Sequence, residues 1–142
     1  MFTYNIPADC EYANFTMTSD VTGDFFWIRK NLTTGQWSGR SDGVVTWTPA
    51  SNRREGIISQ KYPNVANPLV YLILGVRYDE YVVEYRCVNV NSTTRMEFMW
   101  TRGRTKRYTD LTAIRVRQVR INNGLANLRG TFAAQDQYRC SP

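Results

Sequence analysis

The sequence predicts an all-β fold: an up-and-down antiparallel barrel, one C-terminal α-helix and a short final strand. Three observations predict it. Short segments rich in Val, Ile, Tyr, Phe, Trp and Thr alternate with turn signals at fairly regular spacing. Two of these segments, Tyr81–Cys87 and Arg95–Arg102, alternate in side-chain character from residue to residue, as strands do. Beyond Arg107 the pattern changes to that of a helix. Sequential hairpins make a meander, a sheet of many strands curls, and closure removes its exposed edges.

The predicted strands cover residues 10–18, 24–31, 43–48, 54–60, 69–76, 80–89 and 95–102. Turn signals separate them at Ser19 and Asp20, Thr34 and Gly35, Ser41 to Gly43, Pro49 to Asn52, and Pro63 and Asn64. The predicted helix covers residues 110–122, with Asp110 as N-cap. Leu111, Ile114, Gln118 and Ile121 fall on one helical face, while Arg115, Arg117 and Arg120 lie mostly away from it. Asn122, Asn123 and Gly124 form its stop, Gly124 being suited to a left-handed conformation. A final strand is expected at Gly130–Ala134.

On the last two long strands, one face is read as Tyr81, Val83, Tyr85, Met96, Phe98 and Trp100. The other face shows Glu84, Arg86, Glu97 and Thr101 to water. A wall of large aromatic side chains needs an apolar neighbour: a second sheet, a helix or a ligand.

The chain has 142 residues, 42% hydrophobic and 13% aromatic, which fits one domain over 1–142 with a real core. No apolar run approaches the ~20 residues needed to span a bilayer. No basic n-region or apolar h-region opens the chain, so Met1 is read as an artificial start or the edge of an incompletely known sequence. The net charge of +6 gathers near Arg102, Arg104, Lys106 and Arg107 and near Arg115, Arg117 and Arg120. Such a cluster can hold polyanions or anionic membrane, but it reads more simply as a solvated loop and helix face. No nucleic-acid partner and no transmembrane segment are expected.

Histidine is absent, which removes Ser-His-Asp and Cys-His catalysis, histidine-ligated metals and a histidine pH switch. Asp79 and Glu80 lie in a turn context, where carboxylates are usually just solvated. No enzyme, catalytic residue or metal site is expected. The three cysteines, Cys10, Cys87 and Cys140, are too far apart for a CxxC motif. Asn14, Asn31 and Asn91 each begin an Asn-x-Ser/Thr sequon, and with the distant cysteines they favour a secreted, glycosylated chain.

The order of these elements, and the words within them, resembles the lipocalin family, in its apolipoprotein D-like branch with the crustacyanins and insect bilin-binding proteins. Arg77 to Cys87 looks like that branch's seventh-strand signature, an acidic-aromatic turn leading to Tyr-x-Cys. Phe98 to Arg102 is similar to the eighth-strand motif, whose terminal Arg closes the barrel floor. Cys10 to Thr16 looks like the start of the second strand, and Asn123 to Cys140 resembles the segment after the helix. The resemblance implies a ligand-holding calyx and a Cys10–Cys140 disulfide. The family's first strand, with its Gly-x-Trp motif, is not found here. Gly35-Gln-Trp37 has the letters but follows a strand and precedes a Ser-Gly turn. The usual partner of Cys87 is missing too. Three explanations follow: the sequence is N-terminally incomplete, which is preferred, or a separate chain supplies the strand, or the protein has seven strands and a gap.

Resemblance and inward parity together give a ligand-binding wall of Tyr71, Ile73, Tyr81, Val83, Tyr85, Met96, Phe98 and Trp100. Ala13, Phe15, Trp27 and Trp47 are added from the earlier strands. The expected function is a secreted carrier of a hydrophobic small molecule. A conjugated pigment, carotenoid or bilin, is preferred over a fatty acid, sterol, retinoid or odorant. The resemblance also implies homo- or hetero-oligomers. A basic surface-interaction protein is the alternative.

Overall fold

The structure, a computed structural model, describes residues 10–31, 33–49, 56–105, 107–127 and 140. Seven strands and one helix follow in chain order: β1 (Cys10–Met17), β2 (Thr22–Lys30), β3 (Ser41–Pro49), β4 (Gly56–Lys61), β5 (Leu69–Arg77), β6 (Tyr81–Asn89), β7 (Arg95–Gly103) and α1 (Asp110–Asn122). The strands form one sheet in the order β1-β2-β3-β4-β5-β6-β7. This is the expected up-and-down antiparallel architecture with a C-terminal helix. The strand expected at Gly130–Ala134 lies outside the described residues, as do Ala50 to Asn52 and the first two residues of the strand expected at 54–60.

Ser41 and Asp42, expected as a turn, instead open β3 and pair with Trp27 and Phe26; Gly43, where the strand was expected to begin, pairs with Phe25. Gly43 is needed there for close approach. A Cβ on it would stand 2.6 Å from the Phe25 ring and 2.6 Å from the Lys61 carbonyl oxygen. The Asn-containing loops behave as turns. Asn31 Oδ1 accepts from the amides of Thr33 and Thr34, and Asn91 Oδ1 from those of Thr93 and Thr94.

By its internal contacts the chain divides into two compact units. One holds β1, β2, nearly all of β3, most of β4, and the chain through Val70; the other holds β5 from Tyr71, then β6, β7 and α1.

In the first unit, Ala13 pairs with Trp27 and Phe15 with Phe25 across β1 and β2, while Gly23 and Phe25 pair with Val45 and Gly43 of β3. Directly paired residues share a face. Phe15 stacks on Phe25 with ring centroids 5.6 Å apart, and Phe25 meets Tyr62 edge-on at 5.1 Å. Phe25, Val45, Ile58 and Gln60 are buried. Arg29 stands over the Trp27 ring and bonds Glu11. Cys10 is buried and joined to Cys140, the disulfide that the resemblance implied.

In the second unit, β5 and β6 pair with a register shift between Ile73 and Gly75. Helix α1 lies over the side of the sheet to which Gly75 and Val83 belong. A Cβ at Gly75 would come within 2.7 Å of a Val119 methyl, and Val83 is fully buried.

The helix is turned differently from the expected orientation. Leu111, Ile114 and Ile121 are exposed, while Thr112 is buried and Arg115, Val116, Val119 and Arg120 are half-buried. Glu80 supplies the reason. From the turn between β5 and β6 its carboxylate accepts from Arg115 Nη1 at 2.6 and 2.9 Å and from Thr112 Oγ1 at 3.1 Å. Charge-assisted bonds are stronger than neutral ones, and these hold a polar row of the helix inward. Thr109, rather than Asp110, is the N-cap: its side chain accepts from the Thr112 amide. The expected stop is present, with Gly124 at φ 72°.

Candidate functional site

Two side-chain faces of the β5–β7 sheet are defined by register. Across β6 and β7, Tyr81 pairs with Gly103, Val83 with Thr101, Tyr85 with Met99 and Cys87 with Glu97. Glu84 pairs with Trp100, Arg86 with Phe98, and Val88 with Met96. Tyr81, Val83 and Tyr85 therefore lie on one face, and Met96, Phe98 and Trp100 on the other. This corrects the single wall expected from alternation. Each strand does alternate, but the phase between them is set where Asn89 meets Arg95 across the hairpin loop.

The face bearing Val83 and Tyr85 is the one under α1. Tyr81, Val83 and Tyr85 thus lie on the side of the sheet that the helix covers. The Tyr85 hydroxyl donates to Glu97 Oε1 at 2.5 Å. Burial, and then this bond to a carboxylate, push its pKa well above the ordinary 10.0. That hydroxyl is committed to Glu97.

The opposite face gathers the remaining aromatic residues. Tyr71 meets Trp100 edge-on with ring centroids 5.5 Å apart, and Phe98 stacks beside Trp100 at 5.6 Å and 11°. Such pairs contribute ~0.5–1.5 kcal/mol beyond their buried area. Ile73 pairs with Glu84 on this face and is buried, as is Tyr71. Phe98 and Trp100 are half-buried, and Met96 is exposed. Five of the expected wall residues, Tyr71, Ile73, Met96, Phe98 and Trp100, share this face.

Three charged residues join them. Glu84, expected in water, is 2% exposed. Its carboxylate accepts from Arg102 Nε at 2.9 Å. A carboxylate so deeply buried requires such a partner. Arg86 reaches over the Tyr71 ring, with its guanidinium carbon 5.9 Å from the centroid. Sequence reasoning assigned Glu84 and Arg86 to the solvent face. The Asn89–Arg95 pairing puts even-numbered residues of both strands together, and neither strand's own alternation discloses it.

The four earlier candidates, Ala13, Phe15, Trp27 and Trp47, also share a face, because β1–β3 register aligns Ala13 with Trp27, Phe15 with Phe25, and Gly23 with Val45, two residues before Trp47. Phe25 belongs to the same face and is its most buried ring.

Much of the basic cluster is engaged within the molecule. Arg102 bonds Glu84, Arg115 bonds Glu80, and Arg104 donates to the Tyr78 carbonyl while standing over its ring. Asn14, Asn31 and Asn91 are all exposed, the last two in hairpin loops. Cys87 is an exposed free thiol at its strand position. No helix of the described residues is long and apolar enough to cross a membrane.

No family model matches the chain, and no curated protein matches it. Solved structures do. Lobster apocrustacyanin A1 superposes with a TM-score of 0.66 at 16% identity, covering 91% of this chain and 66% of its own. Apocrustacyanin C1 gives 0.67 at 16% identity with the same coverage. Apocrustacyanin C2 gives 0.66 at 15%, covering 88% of this chain and 66% of its own. The chain thus spans just under two thirds of the length of these proteins and has their lipocalin-type fold.

Proposed function

We propose that this chain is a secreted carrier that binds a hydrophobic small molecule against the Tyr71, Phe98 and Trp100 face of β5–β7. The observation that carries the reading is the contiguous aromatic array on the side of the sheet away from α1. Flat π-faces stack well on conjugated molecules, so a carotenoid or bilin remains the preferred ligand class, ahead of sterols and odorants. Burial of the ligand's apolar surface, worth ~25 cal/mol per Å2, would drive binding. The lipocalin-type fold supports a carrier over an enzyme. The face of β1–β3 bearing Phe15, Trp27 and Trp47 is proposed as a second apolar contact surface.

Secretion and glycosylation at Asn14, Asn31 and Asn91 are proposed from the exposure of all three sequon asparagines and from the Cys10–Cys140 disulfide. The polyanion-binding alternative is weakened, because Arg102, Arg104 and Arg115 already have partners within the chain. The test is an absorption spectrum of the protein from its natural source, with mass analysis of an organic extract. A stoichiometric conjugated compound is expected. A colourless protein whose extract holds no apolar small molecule would sink the reading.

A further inference from the structure

Among the described residues, the charge on the aromatic face does not balance. Glu84 and Arg102 neutralise one another through a bond of 2.9 Å. Arg86 is the third charged residue of that face, opposite Phe98 in register and over the Tyr71 ring. Among the described residues its one interaction is with that ring; it makes no ion pair. The other described carboxylates near β6 and β7 are committed elsewhere. Glu97 lies on the other face with Tyr85 and Arg95, and Glu80 holds Arg115 and Arg77. Among the described residues, the face therefore presents aromatic rings and one guanidinium without an ion-pair partner.

A half-buried cation beside apolar surface favours an anion that arrives with apolar surface of its own. Arginine's planar fork suits a carboxylate, which it can bind through two parallel bonds. We infer that the ligand is an apolar molecule ending in a carboxylate, with Arg86 receiving that end while Tyr71, Phe98 and Trp100 hold the body. The inference rests on the aromatic face being the binding site. Within the conjugated class it selects acidic ligands, such as bilins with their propionate arms, over neutral carotenoids.

The test compares retinoic acid with retinol, which share a conjugated body and differ in the end group. Affinities are read from ligand absorbance and fluorescence at low and high salt. The intact protein is expected to bind retinoic acid about tenfold more tightly than retinol, as a charge-assisted bond implies. Added salt should shrink the difference. In Arg86→Gln the preference for retinoic acid over retinol should vanish, and Arg86→Lys should restore part of it. Circular dichroism shows that each variant is folded. Equal affinity for the two ligands in the intact protein, or a preference that survives in Arg86→Gln, overturns the inference and leaves the site standing. Binding of neither ligand overturns the site and the inference together.

Discussion

Glu84 and Arg102 meet across β6 and β7, carboxylate to guanidinium at 2.9 Å, on the face that also carries Trp100. The pair is asymmetric. Glu84's side chain is 3% exposed and Arg102's 31%. The burden of burial falls on the carboxylate, so losing the arginine should matter more than its own exposure suggests. Arg102→Met is expected to destabilise the fold by ~3–5 kcal/mol, because it strands a buried charge. Glu84→Gln combined with Arg102→Met should recover much of that loss. Urea denaturation of the single and double variants checks both statements. A mild single variant would mean that the pair does not hold this face.

Gly75 sets how closely α1 approaches the sheet. Gly75→Ala places a Cβ 2.7 Å from a Val119 methyl, and Val119 is β-branched and cannot swing away easily. The expected loss is ~1–3 kcal/mol, as for other overpacked contacts. Combining it with Val119→Ala should relieve part of the loss. Thermal melts of the two variants test this.

Glu80 ties α1 to the turn between β5 and β6. The bond from Arg115 is the main cause that lowers its pKa below the ordinary 4.5; Thr112 and Arg77 add to it, and desolvation opposes it. A depressed carboxylate pKa stabilises the fold above the unfolded value of 4.5, and the contribution fades as pH falls through the lower folded value. The intact protein should therefore lose more stability on acidification below 4.5 than Glu80→Gln does. Parallel acid titrations of the two would contradict the assignment.

The Cys10–Cys140 disulfide spans a sequence separation of 130 residues. Replacing both cysteines by serine is expected to lower stability by ~2–5 kcal/mol. In the folded, unreduced protein a thiol reagent should modify Cys87 alone, since it is the exposed free cysteine.

The strand positions and the helix limits were legible in the sequence, because alternation, turn residues and caps are local. What was not legible depended on partners distant in the chain. Tyr81, Val83 and Tyr85 could be grouped together, and so could Met96, Phe98 and Trp100. Whether the two groups shared a face turned on Asn89 pairing with Arg95, which composition does not reveal. Leu111, Ile114 and Ile121 formed a proper apolar row, yet Glu80 binds Arg115 and Thr112 and turns that row outward. Gly43 read as a turn signal and the start of a strand, and neither reading reveals that it lets the Phe25 ring and the Lys61 carbonyl come close.

The central claim is that the aromatic face bearing Trp100, and not the helix-covered face bearing Tyr85, receives the ligand. Retinol titrations of the intact protein, Trp100→Leu and Tyr85→Phe, followed by retinol fluorescence, test it most directly. Removal of the Trp100 ring should weaken binding by about tenfold or more, in line with the area that a Trp side chain contributes. Tyr85→Phe should leave affinity unchanged. The opposite pattern, with affinity lost in Tyr85→Phe and kept in Trp100→Leu, would contradict the account.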